Sequence, residues 1–378
     1  MPNPNAIVTT VSRVERADAR AAAEAAGGER EIAVELEGGR RVRLDAADPR
    51  SRALAGVLET IGQQRRPVYL ELEPDSDRVR EVRLPLASLV ARLHLTGDGL
   101  LVELAESHAR HLLRRGTADY DEMESALRHA YGARLPVLVT ANDAGEIIDA
   151  RPAARGGHEY PFPEPDLRPP PRTFGVVLRE LLDIIYSWRC WPWWWFGCLT
   201  PRQAQQVFDQ MAARTCDPST VPVPCIPFLY PDDGCWARAH EMCRLMIAMG
   251  LSPRKVWIQS TYPALLHVDT ANNPSCFVEW TWHVAPIVCV RSWPWVFLSR
   301  DMVIDPSLFT APVTKAGWKL VQHDPTATLT DTDASIYKIF GMETDPTNAK
   351  TEDRLAYYRL QLQLRTIGSG PPPYAGCP

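Results

Sequence analysis

The chain has 378 residues, enough for two domains, and its 45% apolar and 23% charged residues are typical of a globular protein. The net charge of −5 gives no reason to expect nucleic acid or an anionic membrane as a partner. We predict no membrane span, because no apolar run is long enough. Met1 to Arg13 lacks a basic start and an apolar core, so we expect no Sec-type signal peptide.

Composition divides the chain into two modules of different origin. All nine cysteines and all twelve tryptophans lie beyond residue 187, and all five lysines lie beyond residue 250. From these shifts and a run of prolines we predict five segments: a mobile arm at 1–27, a module at 28–153, a semi-rigid linker at 154–173, a second module at 174–365 and a flexible tail at 366–378.

The first module carries a predicted internal duplication. Two hairpins flank a helix at 51–62, and the same order recurs around a helix at 120–131. Arg66-Pro67-Val68 matches Leu135-Pro136-Val137 at an offset of 69 residues. The module is therefore predicted to be two ββαββ units, an α+β domain with antiparallel sheet.

The first module shows no constellation of catalytic residues. His108, His111 and His129 lack a cysteine or second acid at ligand spacing, so we interpret them as surface histidines rather than a metal site. We expect this module to bind, dock or inhibit.

The second module opens with a predicted helix at 174–186 and a tryptophan-rich stretch at 188–198. Such a cluster is more often buried than exposed as a docking patch. A second helix is predicted at 200–215, with Pro201 in its first turn.

Asp232-Asp233-Gly234-Cys235 leads into a third predicted helix. Asp232 or Asp233 is expected to cap its first turn. Cys235 would then lie at a helix N-terminus, where the helix dipole lowers a thiol pKa and free N–H groups can hold an oxyanion. A buried structural cysteine is the alternative interpretation of this residue.

Candidate strands follow the third helix. They lie at 255–260, 276–282, 283–290 and 295–298, and Asp305 follows the last strand-like segment. A cysteine nucleophile needs a base, and the base needs an acceptor that holds its tautomer. Cys235, His283 and Asp305 supply these parts in that order.

Other residues compete for these roles. His240 is five residues beyond Cys235 on the same helix and so lies on a different face. His267, with Asp269 as its acid, is the second candidate for the base. Asp301 is the second candidate for the acid.

Four short segments resemble those of bacterial protein-glutaminases. They are Ile226-Pro227-Phe228, Gly234-Cys235-Trp236-Ala237-Arg238-Ala239-His240-Glu241-Met242, Trp282-His283-Val284-Ala285 and Ile304-Asp305-Pro306-Ser307-Leu308-Phe309. The resemblance covers about residues 200–320. It implies a papain- and transglutaminase-like thiol hydrolase domain at 174–365, in which a helix bearing Cys235 packs on an antiparallel sheet.

The resemblance also implies an activity, the hydrolytic deamidation of protein-bound glutamine through a thioester. Cys235 would be the nucleophile, His283 the base and Asp305 the orienting acid, and Gly234, Trp236 and Trp282 are candidates for the oxyanion site and cleft. No cofactor or metal is needed, and the partner is a protein that presents glutamine.

The sequence leaves several alternatives open. A transglutaminase or cysteine protease would use the same architecture, and a non-catalytic interaction protein is the alternative from another class. The long N-terminal extension and the missing signal peptide depart from the family, whose members are typically secreted. Export by a non-Sec route, as an effector or toxin, would reconcile these features with the many cysteines, and a cytoplasmic location is the alternative.

Nine cysteines fit one free nucleophile and up to four disulfides, which would need an oxidising compartment. We expect Cys216 to pair with Cys225 first, and Cys190 with Cys198 next. Nine free thiols in a reducing cytosol are the alternative.

Overall fold

The computed structural model describes residues 5–15, 31–153, 198–219, 224–261, 263–291 and 299–377. Over these residues the protein is mixed α+β, with antiparallel sheets and few helices. Of the described helices, none is both long and apolar enough to cross a membrane. The helix predicted at 174–186, residues 188–197 of the tryptophan-rich stretch and the strand predicted at 295–298 lie outside the described residues.

The first five-stranded sheet has its earliest strand at its centre. The elements are β1 (Ala6–Glu15), β2 (Glu31–Leu36), β3 (Arg41–Asp45), α1 (Pro49–Gln63), β4 (Pro67–Leu72) and β5 (Val79–Arg83). The strand order is β3-β2-β1-β4-β5. The prediction that 1–27 is an arm is therefore wrong for residues 6–15, whose β-branched residues pair with β2 and β4.

The second five-stranded sheet has the same arrangement. Its elements are β6 (Leu86–Leu95), β7 (Gly99–Leu104), β8 (His111–Arg114), α2 (Tyr120–Ala133), β9 (Pro136–Ala141) and β10 (Ile147–Pro152), in the strand order β10-β9-β6-β7-β8. Each unit is thus βββαββ, with one strand more than the predicted ββαββ. The missed strands are β1 and β8. With only four residues, β8 gives too short a pattern to be read from sequence.

A third sheet and two small hairpins form the rest of the described chain. The strands are β11 (Arg254–Gln259), β12 (Leu266–Asp269), β13 (Phe277–Trp280), β14 (Trp282–Arg291), β15 (Ser299–Val303), β16 (Val313–Thr314), β17 (Thr328–Asp333), β18 (Ile336–Lys338) and β19 (Glu343–Thr344). The sheet order is β16-β15-β14-β11-β17, and β12 pairs with β13 and β18 with β19. These strands put β14 at the centre of the sheet.

Four helices accompany this sheet: α3 (Pro201–Ala212), α4 (Cys235–Ala248), α5 (Lys315–Leu320) and α6 (Ala349–Ser369), with a 3₁₀ turn at Phe340–Met342. Helix α3 begins as predicted, because Thr200 and Gln203 form a capping box in front of Pro201. Helix α4 packs on β14, and its residues Cys235 to Cys243 are buried. The helix that carries the cysteine therefore lies directly on the strand that carries the histidine.

Three disulfides join described residues, all outside the first two sheets. They are Cys198–Cys289, Cys216–Cys225 and Cys276–Cys377. The Cys216–Cys225 prediction is confirmed, whereas Cys198 pairs with Cys289 rather than Cys190, because Leu199 is hydrogen bonded beside β14. Two described cysteines, Cys235 and Cys243, are free, so the expected single free thiol is also wrong.

Helix α6 joins the two halves of the molecule. It packs on both α1 and α4, and one continuous apolar core runs from the first two sheets to Trp236, Trp282 and Tyr358. The tail predicted as flexible at 366–378 is instead held in place through residue 377. The helix continues to Ser369, and Cys377 is bonded to Cys276.

Candidate active site

Gly234 forms the turn that brings Cys235 to the first position of α4. Its φ of 79° lies in the left-handed region that favours glycine, and a Cβ atom here would overlap the Tyr358 ring. Gly234 is the N-cap, and no side chain caps the helix, so the prediction that Asp232 or Asp233 does so is wrong. The backbone of Gly234 thus fixes the position of the thiol.

The two aspartates before Gly234 have other partners. Asp232 forms a two-oxygen ion pair with Arg365 of α6, at 2.6 and 2.8 Å. Asp233 Oδ1 accepts hydrogen bonds from the backbone N–H groups of Gly234, at 2.9 Å, and His108, at 3.2 Å. These bonds tie the approach to the thiol to α6 and to the first module.

His283 and Asp305 form the buried pair that the sequence predicts. His283 lies on β14, and its Nε2 is 2.9 Å from Oδ2 of Asp305, just beyond β15. Trp318 Nε1–H donates to the same carboxylate oxygen at 2.9 Å, and the Ser307 N–H donates to the other at 3.2 Å. Burial alone would raise the pKa of Asp305, but His283 and these donors hold it below its ordinary value.

Cys235 and His283 are both buried, with 1% of each side chain exposed. Burial raises the pKa of the Cys235 thiol well above its ordinary value, although Arg238 opposes the shift. Burial also lowers the pKa of His283, against the effect of Asp305. The low thiol pKa predicted from the helix dipole is therefore wrong for this closed site, because loss of water outweighs the dipole.

The loop between β7 and β8 of the first module extends into the site. His108 is fully buried, and its Nε2 accepts the Cys235 N–H at 3.4 Å. Ala109 forms a β-bridge with Trp280 of β13. On either side of it, the Thr281 N–H donates to the His108 carbonyl at 2.9 Å, and the Arg110 N–H donates to the Glu279 carbonyl. The loop therefore lies against β13 as an added short strand.

The prediction of surface histidines in the first module fails at two of three positions. His108 and His111 are buried, and only His129 is exposed. His111 lies behind the loop, with its Nε2 2.9 Å from Ser107 Oγ. Nothing in the short sequence around His108 distinguishes it, because its surroundings come from the other half of the chain.

Tryptophan rings form the walls around the histidines. The His108 ring lies 5.7 Å from Trp236, 5.6 Å from Trp280 and 4.9 Å from Trp282, measured between centroids. Trp280 also stacks on His283 at 4.4 Å. The cleft candidates Trp236 and Trp282 thus lie at the site, and Trp280 and Trp318 are the tryptophans there that the sequence did not single out.

The alternative residues lie elsewhere. His240 Nδ1 is 3.0 Å from the Lys255 ammonium group, on the far side of α4. His267, 38% exposed in its side chain, faces Asp269 and Glu279. Asp301 pairs with Arg254 and Lys315 at the edge of the sheet. Of the nucleophile, bases and acids considered from sequence, the structure brings together Cys235, His283 and Asp305.

Three comparisons relate the chain to known proteins. Residues 204–322 match the model of a family described as Glutaminase. No curated protein matches the chain. The solved structures that match the chain include the crystal structure of a pro-protein-glutaminase, with 20% identity, a TM-score of 0.49 and coverage of 77% of this chain and 97% of the other.

Two further structures are shorter. A protein-glutaminase shares 27% identity, with a TM-score of 0.38 and coverage of 43% of this chain and 90% of the other. The NMR structure of a protein-glutaminase from Chryseobacterium proteolyticum shares 25% identity, with a TM-score of 0.38 and coverage of 48% and 97%.

Proposed function

We propose that the chain, whose residues 204–322 match a glutaminase family model, is a hydrolase that deamidates protein-bound glutamine through a Cys235–His283–Asp305 triad. The observation that carries this proposal is the convergence of the three side chains. The thiol lies at the start of α4, the imidazole on β14 beneath it, and the carboxylate behind the imidazole at 2.9 Å.

The first half-reaction forms a thioester. His283 takes the thiol proton, and the Cys235 thiolate attacks the carbon of the glutamine side-chain carboxamide. The Cys235 N–H donates to the developing oxyanion, at the place where it now donates to His108. The His283 imidazolium returns the proton to the amide nitrogen, the carbon–nitrogen bond breaks and ammonia leaves.

The second half-reaction hydrolyses the thioester. His283 removes a proton from water, whose oxygen attacks the thioester carbon, and the carbon–sulfur bond then breaks. The proton returns to sulfur, and the product is protein-bound glutamate. Asp305 keeps the imidazole oriented and stabilises its charged form in both halves, as the carboxylates of other catalytic triads do.

The architecture that we propose for this unit is papain- and transglutaminase-like. A buried helix presents the nucleophile at its N-terminus, and it packs on an antiparallel sheet whose central strand presents the base. The acid follows the neighbouring strand, β15, which pairs with β14 in the register Ile287 to Val303.

The first module is proposed to inhibit the enzyme in the same chain. His108 fills the space beside the Cys235 N–H, and the thiol is only 1% exposed, so a glutamine on another protein has no route to it. Arg110 and Lys338 support the closed loop through ion pairs with Glu279, at 3.0 Å, and Glu106, at 2.7 Å. Removal of the loop would expose the sulfur and relieve the burial that raises its pKa.

The decisive experiment measures ammonia release from a glutamine-containing protein, before and after limited proteolysis of the N-terminal module. We expect release to increase at least about tenfold after proteolysis and to be abolished by Cys235→Ala. Cys243→Ala is the matched control, because Cys243 is also free and buried on α4. Full ammonia release by Cys235→Ala would disprove the site, and equal release before and after proteolysis would disprove inhibition by the module.

Transglutamination is the second candidate reaction, favoured by the tryptophan walls around the triad, because a site that excludes water allows an amine to accept the acyl group. Mass spectrometry separates the two. Deamidation adds about one dalton to the glutamine-bearing peptide, whereas transglutamination joins it to an amine and a protease would cut the chain.

A further inference from the structure

His108, Cys235 and His283 form a compact cluster of side chains that metals favour. One ring nitrogen of each histidine and the sulfur of Cys235 all lie within 4.8 Å of one another. All three side chains are buried. Neutral imidazole and thiolate are the ligands that zinc takes most readily in proteins, and three such ligands with one open position make a usual zinc site.

A carboxylate lies close to each histidine of the cluster, and His283 is oriented as metal ligands usually are. Nε2 of His283 is hydrogen bonded to Asp305 at 2.9 Å, whereas Nε2 of His108 accepts the Cys235 N–H and lies 3.3 Å from Asp233. Zinc on Nδ1 of His108 would require the ring proton to move to Nε2, where it would face Asp233. The other nitrogen of each ring, Nδ1, has no hydrogen-bond partner among the described residues. A carboxylate behind the imidazole is the common arrangement in zinc sites, and a buried nitrogen without a partner is costly.

We propose that this cluster binds a zinc ion that locks the first module in the catalytic site. The proposal rests on the proposed roles of Cys235 and His283. Zinc binding would form a bond to the sulfur and release the thiol proton to solvent. Zinc–nitrogen bonds are about 2.0 Å long and zinc–sulfur bonds about 2.3 Å. The three ligand atoms would therefore need to move to within roughly 3.5 Å of each other.

Such a site is inhibitory because of where its ligands come from. The sulfur of Cys235 would be bound to the metal, so it could not attack a carboxamide. His108 is the ligand that only the first module supplies, and its departure leaves two protein ligands. Zinc and the closed loop must therefore stabilise each other, since coupling between two binding events is reciprocal.

The test uses the full chain with its disulfides intact and Co²⁺ as a probe. A thiolate bound to Co²⁺ gives a charge-transfer absorption in the near ultraviolet, and zinc competes for the same site. We expect one equivalent of Co²⁺ to produce this band, zinc to abolish it, and Cys235→Ser to lack it. His108→Ala should weaken Co²⁺ binding at least about tenfold. His129→Ala, an exposed histidine of the same module, should leave the affinity unchanged.

Two results would overturn the proposal. One is the absence of the band in the wild-type chain; the other is equal Co²⁺ affinity in His108→Ala and the wild type. Near-ultraviolet circular dichroism shows whether each variant is folded. If His108→Ala does not fold, His283→Ala provides the same comparison, since it also removes one ligand. The spectra need no substrate, so a failure to bind the metal is distinguishable from a failure of the proposed deamidase activity.

Discussion

The first two sheets and the thiol-bearing unit are stabilised by different chemistry, although one apolar core joins them. Residues 31–153 contain no cysteine, tryptophan or lysine, and alternating valine and leucine fill the space between sheet and helix. The thiol-bearing unit has three disulfides and its charged residues reach the core, among them Arg238 and Lys255. The core of the first module is thus mainly aliphatic, whereas the thiol-bearing unit also holds charged side chains in its interior.

A small part of the first module contacts the candidate active site. Among the residues of the module that the structure describes, His108 in the loop between β7 and β8 contacts both Cys235 and His283. The rest of the module positions that loop through α6, where Arg66 pairs with Asp353 and Arg365 with Asp143.

Asp305→Asn should reduce deamidation by proteolysed enzyme about a thousandfold, close to 4 kcal/mol, because the amide cannot hold the productive tautomer of His283. Initial rates of ammonia release at saturating substrate measure the loss. Asp301→Asn is the control, since Asp301 pairs with Arg254 and Lys315 away from the site, and its rate should stay within about twofold. Equal losses in both variants would mean that Asp305 has no special role.

Removal of the Cys276–Cys377 disulfide should destabilise only the thiol-bearing unit, by about 2–4 kcal/mol, because it closes a long loop. The double variant Cys276→Ala, Cys377→Ala tests this. Hydrogen exchange should become faster in β13 and at the end of α6, and should stay slow in β4 of the first sheet. Faster exchange throughout both halves would show that they unfold as one cooperative unit.

Acidification should weaken the first module through His111, whose pKa burial lowers from 6.5 to about 4. The unfolded chain binds a proton as the pH falls below 6.5 and the folded chain does not, so stability is complete above 6.5 and is lost towards pH 4. The loss is at most about 3 kcal/mol.

Urea unfolding at pH 7.5 and pH 4.5 measures this loss, and His111→Asn should reduce the difference between the two midpoints. Part of the loss will remain, because burial also lowers the pKa of His108 and of His240, the latter to about 4. The exposed His129→Asn should retain the full pH dependence. An unchanged difference in His111→Asn would contradict the prediction.

Trp318→Phe should lower the deamidation rate about tenfold, because Asp305 loses one donor while the core stays filled. Without that donor the pKa of Asp305 rises, so the acid limb of the pH–rate profile should move to higher pH. Trp257→Phe is the matched control: its indole N–H donates to Thr332 at 2.8 Å, away from the triad. A shifted acid limb in the control, or none in Trp318→Phe, would refute this role.

Local sequence determined many individual elements. Pro201 in the first turn of α3 and the strand pattern of β11 predicted their elements within a few residues, because the fixed φ of proline and side-chain alternation act over short distances. The order of Cys235, His283 and Asp305 also predicted which residues would meet. The sequence alone suggested a cysteine at the start of a helix and an acid after a strand.

The burial and pKa of the candidate site residues depend on tertiary packing. The helix dipole argument gave Cys235 a low pKa, yet the pKa is raised because His108 and the tryptophans remove water from the sulfur. The sequence predicted a surface position for His108, because its partner Cys235 lies 127 residues away along the chain. Burial and long-range contacts depend on how distant segments pack, and no local pattern records them. The sequence thus predicted the candidate catalytic groups, whereas the packing of the first module against them explains why Cys235 is buried.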